Sequence, residues 1–441
     1  MYRFLFIILF SLYNIAFAQH AITGKFTPKE SFHFNLLYQI KPDAIVYNVS
    51  SQGDSDGVYI TELDKTKEKG VYKLIYGTPM DENFFYIIYN GKDDISFTFD
   101  KDKGVQFEDK ENKLLADYLK KRSAVYNGFD YYLAQDKIEK KQIDNLIQQY
   151  NQMQESFEKE AENTFASLFI KSLYQKLPAH FTTKSEFQKY RADHFFSQFD
   201  FSNSFFQASY LPIELSKDFY NNFAINSKEM DGIDAIDQIM LAMNNCTHTF
   251  QKKILSELWD ELVRREEIKS AIYLANKIIP LAEEENDLHQ LAKLRKYVRL
   301  AIGAKAPNFF LGDSISPQTK TLYDIKGSNY YILAFWNSKC SHCLQQMPEL
   351  YWNMKQIPET NFRTIAIGFE SDSTTYFKEI EKMPNFTHVM AMFGVRAKFT
   401  EDYDVRATPA FFILDSDKHI IYKPKGLEEL LEKVNELNLK R

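Results

Sequence analysis

The stretch 331–348, YILAFWNSKCSHCLQQMP, constrains this chain more than any other. Tyr331 to Trp336 is an unbroken apolar run that reads as a buried parallel strand. Cys340-Ser341-His342-Cys343 follows, and the apolar positions Leu344 and Met347 then begin a helix. Two cysteines at this spacing, at a strand-to-helix turn, form a dithiol that can close into a disulfide. The helix N-terminus supplies unpaired N–H groups and the positive end of the dipole. Both favour a thiolate on Cys340, the more N-terminal sulfur, which makes it the candidate nucleophile. Cys343 lies one turn in, and as resolver it can attack a mixed disulfide formed at Cys340 and release the product.

A structural disulfide and a metal site are the competing readings of the pair. Four-cysteine zinc sites need more ligands than lie close here. A c-type haem site needs His directly after the second cysteine, and residue 344 is Leu. Copper held by Cys340, His342 and Cys343 is the remaining metal reading. No metal and no cofactor is expected.

These residues resemble the thioredoxin-like superfamily, in particular the membrane-anchored or periplasmic thiol-disulfide oxidoreductases of the TlpA and ResA type. The resemblance spans roughly 300–441. It rests on Gly303-Ala304-Lys305-Ala306-Pro307-Asn308-Phe309, on Phe335-Trp336, on the cysteine pair and on Pro348. It also rests on Ala407-Thr408-Pro409-Ala410-Phe411-Phe412. It implies that Pro409 is cis and packs against the sulfurs, with the Thr408 backbone facing a client. Main-chain hydrogen bonds to an extended peptide would follow. A 2-Cys peroxidase would carry threonine three residues before its nucleophile, where this chain has Asn337.

The site departs from the family in two ways. Many relatives have tryptophan before the first cysteine; here it is Lys339, a cation that can favour the thiolate. The buried aspartate of thioredoxin falls on Ala334, and the glutamate of the ResA type falls on Gln346. Water, or another carboxylate such as Glu349 or Glu370, would have to move the proton. His342 sits between the cysteines, where positive charge or hydrogen bonding stabilises a thiolate and raises the reduction potential. A solvent-facing spacer is the alternative for His342. Trp336 is read as packing near the site or as plain core.

The chain has 441 residues, enough for two or three domains. Its 27 Tyr and 38 Phe supply abundant core material. A net charge of −6 and the lack of a basic tract argue against nucleic acid as a partner. Three cysteines are too few for a disulfide-stapled scaffold. Residues 1–18 read as a signal peptide: Arg3, then the apolar segment Phe4 to Leu12, then Ala16-Phe17-Ala18 as a cleavage site near Ala18. An uncleaved membrane anchor is the alternative, with a rather short apolar run.

Residues 19–107 carry short apolar runs split by Gly, Asp and Pro. The seven candidate strands begin at 21, 32, 44, 57, 70, 84 and 95, and they suggest a β-sandwich-like domain. The period then changes. Ile143, Leu146, Ile147, Tyr150, Met153, Phe157 and Ala161 form one face of a long helix. Further helices read at 214–224, 232–245, 251–264, 266–279 and 284–299, so 108–300 is a helical middle domain. It holds Cys246, read as a lone structural thiol. Residues 301–441 alternate strands and helices and end in a hairpin and a helix, an α/β thioredoxin-like fold.

The sequence thus reads as a multidomain, exported, periplasmic thiol-disulfide oxidoreductase. It would act on exported client proteins with disulfides or thiols, through Cys340 and Cys343, together with a membrane or periplasmic redox partner. Its action is expected to be reductive. The alternative is a partner- or glycan-binding protein in which the dithiol is only a redox switch.

Overall fold

The computed structural model describes residues 20–29, 32–42, 44–63, 67–135, 140–179, 181, 183–226, 228, 230–311, 320–371 and 373–439. The expected signal segment 1–18 lies outside them. The chain divides into two compact units between Leu258 and Trp259.

The first unit opens with β1 (His20–Thr27), β2 (Asn35–Ile40), β3 (Ile45–Ser51), β4 (Val58–Leu63), β5 (Gly70–Ile75), β6 (Phe84–Tyr89), β7 (Ile95–Asp100) and β8 (Gly104–Phe107). They form two four-stranded sheets in the orders β4-β1-β7-β8 and β3-β2-β5-β6. Ile22, Phe26, Phe97 and Phe99 from one sheet meet Leu37, Tyr72, Leu74, Ile87 and Tyr89 from the other in one core. Two sheets closed over a shared apolar filling make a sandwich. The sequence reading gave seven strands and omitted β8, which is only four residues long and buries none of them.

Helices complete this unit: α1 (Lys110–Leu133), α2 (Lys140–Glu160), α3 (Ala166–Ser172), α4 (Lys184–Asp193), α5 (Ser204–Gln207), α6 (Leu211–Tyr220), α7 (Gly232–Ala242) and most of α8 (His248–Arg264). A π-helical turn, Asn221–Asn226, extends α6. In α2 the buried Ile143, Tyr150 and Phe157 lie on the face read from the sequence. The α1 side chain Asn112 accepts from the N–H of Ile88 (2.7 Å) and donates to its carbonyl (2.9 Å). It thereby satisfies β6, an edge strand, as a neighbouring strand would. The Glu111 carboxylate accepts from the N–H groups of Phe165 (3.1 Å) and Ala166 (2.8 Å). It caps α3, whose own first residues offer no side-chain cap.

The second unit begins inside α8 and continues with α9 (Ile268–Glu284) and α10 (Leu288–Leu300). The sequence boundary was drawn at 300. The packing assigns these two helices to the C-terminal unit, where Lys296 pairs with Asp404 (3.0 Å) and Arg299 donates to the Glu401 carbonyl (2.7 Å). After a 3₁₀ turn, Leu322–Asp324, come β9 (Tyr330–Trp336), α11 (Ser341–Met354), β10 (Phe362–Glu370), α12 (Ser373–Ile380), β11 (Thr387–Met392), α13 (Phe393–Tyr403), β12 (Ala410–Asp415), β13 (Ile420–Tyr422) and α14 (Leu427–Leu439).

Their sheet has the order β11-β10-β9-β12-β13. The strands β9, β10 and β11 run parallel; β12 is antiparallel to both its neighbours. Alternate β9 residues enter two different cores, as the period of a strand requires. Tyr331, Leu333 and Phe335 join Phe309, Phe399 and Tyr403 on one face. Ile332, Ala334 and Trp336 join Met347, Leu350 and Leu430 on the other. This central strand, buried on both faces, ends where the dithiol loop begins. The arrangement is thioredoxin-like, so the chain combines N-terminal sheets, a helical middle and a C-terminal α/β domain.

One close approach fixes the end of β9. Gly368 pairs with Trp336 across the β10–β9 ladder. A Cβ there would stand 2.4 Å from Cε2 of Tyr376, a buried ring on α12. Replacement Gly368→Ala is expected to push Tyr376 out of place and cost about 1–3 kcal/mol. A urea melt with an unchanged midpoint would show that α12 yields freely at this contact.

Candidate functional site

The site starts at the helix cap. Cys340 is the N-cap of α11, in extended backbone conformation (φ −86°, ψ 119°). Its sulfur accepts from the backbone N–H of Cys343 at 3.5 Å. N-cap positions usually hold Ser, Thr, Asp or Asn, whose oxygens satisfy the unpaired N–H groups of the first turn. A sulfur takes that role here, and a thiolate takes it better than a thiol because the acceptor is charged. The Cys340 thiol also reaches the Thr408 carbonyl at 3.5 Å. Burial pushes the Cys340 thiol up, but hydrogen bonds from Cys343, from Thr408 and from the His342 backbone outweigh it. The net result lies below the ordinary thiol value.

Cys343 differs because it is fully buried, against Trp336, Met347 and Leu350. Burial, then the hydrogen bond to Cys340, push its thiol up to about 12. Both cysteines are free thiols. One sulfur is partly exposed and inclined to ionise; the other is enclosed and held neutral. That is the asymmetry a nucleophile and a resolving thiol require.

The segment before β12 closes the site. The Thr408–Pro409 bond is cis, and both residues are half-buried. The contact from Cys340 to the Thr408 carbonyl brings this segment to the dithiol. Trp336 is buried at the end of β9, its ring 5.9 Å from that of Tyr376. Lys339 and His342 are exposed beside the cysteines. His342 acts on Cys340 through its backbone amide. Of the two carboxylates considered as proton carriers, Glu349 is exposed on α11. Glu370 is buried, and accepts from both the N–H (2.9 Å) and the hydroxyl (2.6 Å) of Ser338.

The sequence reading did not single out Ser338, and it used Asn337 only to weigh a peroxidase. Asn337 Nδ2 donates to the Phe369 carbonyl, its Oδ1 accepts from the Lys339 N–H (2.8 Å), and its carbonyl accepts from the Cys340 N–H (3.1 Å). These two polar residues hold the whole turn into the helix. The available signal was their place between an apolar strand and a cysteine, where backbone N–H groups need acceptors. Cys246 lies in the first unit, half-buried, with burial pushing its thiol up.

Residues 302–423 match the AhpC/TSA family. Over these residues the C-terminal domain is similar to that family. The match begins just before Gly303 and takes in both cysteines and the Thr408-Pro409 segment. Among solved structures, the chain is similar to the thioredoxin domain of a thiol-disulfide oxidoreductase from Bacteroides vulgatus, at 23% identity over 32% of this chain and 99% of that one (TM-score 0.28). It is similar to a domain of a possible thiol-disulfide isomerase from Cytophaga hutchinsonii, at 31% identity over 31% of this chain and 91% of that one (TM-score 0.26). A thioredoxin-like protein from Bacteroides caccae covers more of it, 59% of this chain and 98% of that one, at 16% identity (TM-score 0.35). No curated protein matches the chain.

The geometry of the two sulfurs sets an order of reaction. In the reduced protein Cys340 is expected to be alkylated by iodoacetamide before Cys343, with an apparent pKa below the free value of about 8.5. A Cys340→Ala variant should react at higher pH, because Cys343 stays enclosed. Stability follows with opposite signs. Cys343, raised to about 12 when folded, contributes stability that is complete below the ordinary thiol value and lost as pH rises through about 12. Cys340, lowered when folded, contributes stability above the ordinary value that is lost as pH falls through its own. Reduced wild type should therefore weaken in alkali more than a Cys343→Ser variant, as urea midpoints from neutral to alkaline pH would reveal. Faster alkylation of Cys343 in the wild type would reverse the assignment of the two sulfurs.

Proposed function

We propose that the chain is an exported thiol-disulfide oxidoreductase that reduces protein disulfides in the periplasm. The observation that carries the reading is the Cys340 sulfur at the helix N-cap, accepting from the Cys343 N–H while the enclosed Cys343 waits one turn away. The Cys340 thiolate attacks one sulfur of a client disulfide. That S–S bond breaks, a mixed disulfide forms on Cys340, and the first client sulfur leaves as thiolate and takes a proton from water. Cys343 then loses its proton and attacks Cys340, which frees the second client sulfur and leaves the 340–343 disulfide. Two electrons pass from the dithiol to the client, and a membrane or periplasmic redox partner restores the reduced pair. The Thr408 backbone, beside Cys340, supports docking of an extended client segment.

The stabilised Cys340 thiolate favours the reduced pair, which raises the reduction potential. The expected midpoint is more oxidising than the roughly −270 mV of thioredoxin. Such a pair reduces strained, exposed or misplaced disulfides, whose potentials are higher, and leaves well-buried structural ones intact. A glutathione titration that returned a value at or below thioredoxin's would remove this account of selectivity.

Turnover and trapping test the function. Purified protein should reduce insulin with a dithiol as electron source, and Cys340→Ser should lower that rate to the level of the dithiol alone. Cys343→Ser should hold clients as mixed disulfides on Cys340, identifiable by mass spectrometry. Failure both to reduce insulin and to oxidise a dithiol peptide, with partner binding in either redox state, would favour a binding protein that uses the dithiol as a switch.

A further inference from the structure

The β9–β10 ladder pairs Phe362 with Tyr330 and runs in register to Gly368 opposite Trp336. The same offset continues past the end of β9. Asn337 donates to the carbonyl of Phe369, and Ser338 gives both its N–H and its hydroxyl to Glu370, 32 residues away. The strand has ended, yet the turn is still fastened to its old neighbour, now through side chains. Glu370 is 1% exposed and Ser338 is 1% exposed. Among the described residues no Lys, Arg or His forms an ion pair with Glu370. A carboxylate enclosed without a cation is costly unless hydrogen bonds compensate it. Both of the bonds it makes run to the turn that carries Cys340.

We propose that Glu370 is a positioning residue for the dithiol: through Ser338 it holds the 337–339 turn so that the Cys340 sulfur stays at the N-cap of α11. The proposal deepens the oxidoreductase reading and rests on it for its biological meaning. The turn is short, and the N–H groups that follow Asn337 are used: Ser338 to Glu370, Lys339 to the Asn337 side chain, Cys340 to the Asn337 carbonyl. Loss of the first anchor leaves Ser338 with an unpaired buried N–H and hydroxyl, and the turn must shift to satisfy them. Any shift at 338 moves Cys340, two residues on, away from the Cys343 N–H, which already stands at 3.5 Å from the sulfur. Weaker hydrogen bonding to the sulfur means a higher thiol pKa.

The test is the pH profile of Cys340 alkylation in the reduced full-length chain, measured in a Cys343→Ser background so that one site reports. This readout needs no turnover, so its failure is separate from failure of the oxidoreductase reading, which insulin reduction decides. Glu370→Ala should move the profile to higher pH by about one unit, a roughly tenfold lower rate at acidic pH. Glu370→Gln keeps a carbonyl oxygen for Ser338 and should restore most of the wild-type profile. Ser338→Ala loses only the hydroxyl bond and should shift the profile less, in the same direction. Adding it to Glu370→Ala should change little, since one route serves both. A wild-type profile in folded Glu370→Ala would overturn the proposal. So would a Gln variant as shifted as Ala, which would make charge rather than position the cause. Additive shifts in the double variant would show that Glu370 does not act through Ser338. If Glu370→Ala does not fold, the Gln and Ser338→Ala profiles decide: an unshifted Ser338→Ala beside a shifted Gln overturns the proposal.

Discussion

A sulfur at a helix N-cap is the contact on which the rest of this domain's chemistry depends. The first turn of α11 needs acceptors for its unpaired N–H groups. Cys340 supplies one from a backbone that is not yet helical. The same bond that finishes the helix also stabilises the charged form of the nucleophile, so folding and reactivity are set by one geometry. This is why the turn before the helix matters so much. Where Trp336 ends the strand, and how residues 337–339 are pinned, decides whether the sulfur meets the N–H at all.

The difference between the two sulfurs needs no specialised side chain. One helical turn moves Cys343 from the rim to the apolar cluster of Trp336, Met347 and Leu350, and burial, then the hydrogen bond to Cys340, disfavours its thiolate. On the rim, the groups that favour the Cys340 thiolate are hydrogen bonds, including two from the backbone amides of Cys343 and His342. Lys339 and His342 carry their side chains in solvent. At physiological salt an exposed charge such as that of Lys339 is felt only within a screening length of about 8 Å. Backbone donors are fixed in place and do not depend on salt, so they are the steadier means of setting the potential.

Much of this was legible in the chain. The buried strand, the dithiol, the helix behind it and the alternation of strands and helices in the C-terminal domain follow from apolar runs and spacing. So do seven of the sandwich strands and the long α2. What escaped has physical reasons. The sequence reading assigned no helix to α1, because its apolar face fails in the middle: Leu114, Leu115 and Tyr118 are buried, then nothing until Phe129. In α4 the buried set is Phe187, Gln188, Arg191 and Ala192, half of it polar, so no stripe stands out. The assignment of α9 and α10 to the second unit depends on ion pairs and packing across a hundred residues, which periodicity does not record. At the site, the sequence offered Glu370 only as one of two acids that could move a proton, not as the acceptor for the Ser338 turn.

The position of Glu370 was nevertheless implicit once two strands were known to be parallel and adjacent. A parallel ladder keeps a constant offset between partners, and here Tyr330 with Phe362 sets it. Carried forward, that offset puts residue 370 opposite 338 and residue 369 opposite 337, where the structure has them. Parallel strands also end on the same edge of the sheet. The loop after β9 and the last side chains of β10 are therefore neighbours in any register close to this one. A long acidic side chain at that edge enters one core or the other according to the parity of its position. At 370 it shares parity with Gly368 and lies on Tyr376's side of the sheet. Shifted by one residue, the same carboxylate would lie on the opposite face, and the turn to Cys340 would have to find its acceptor elsewhere.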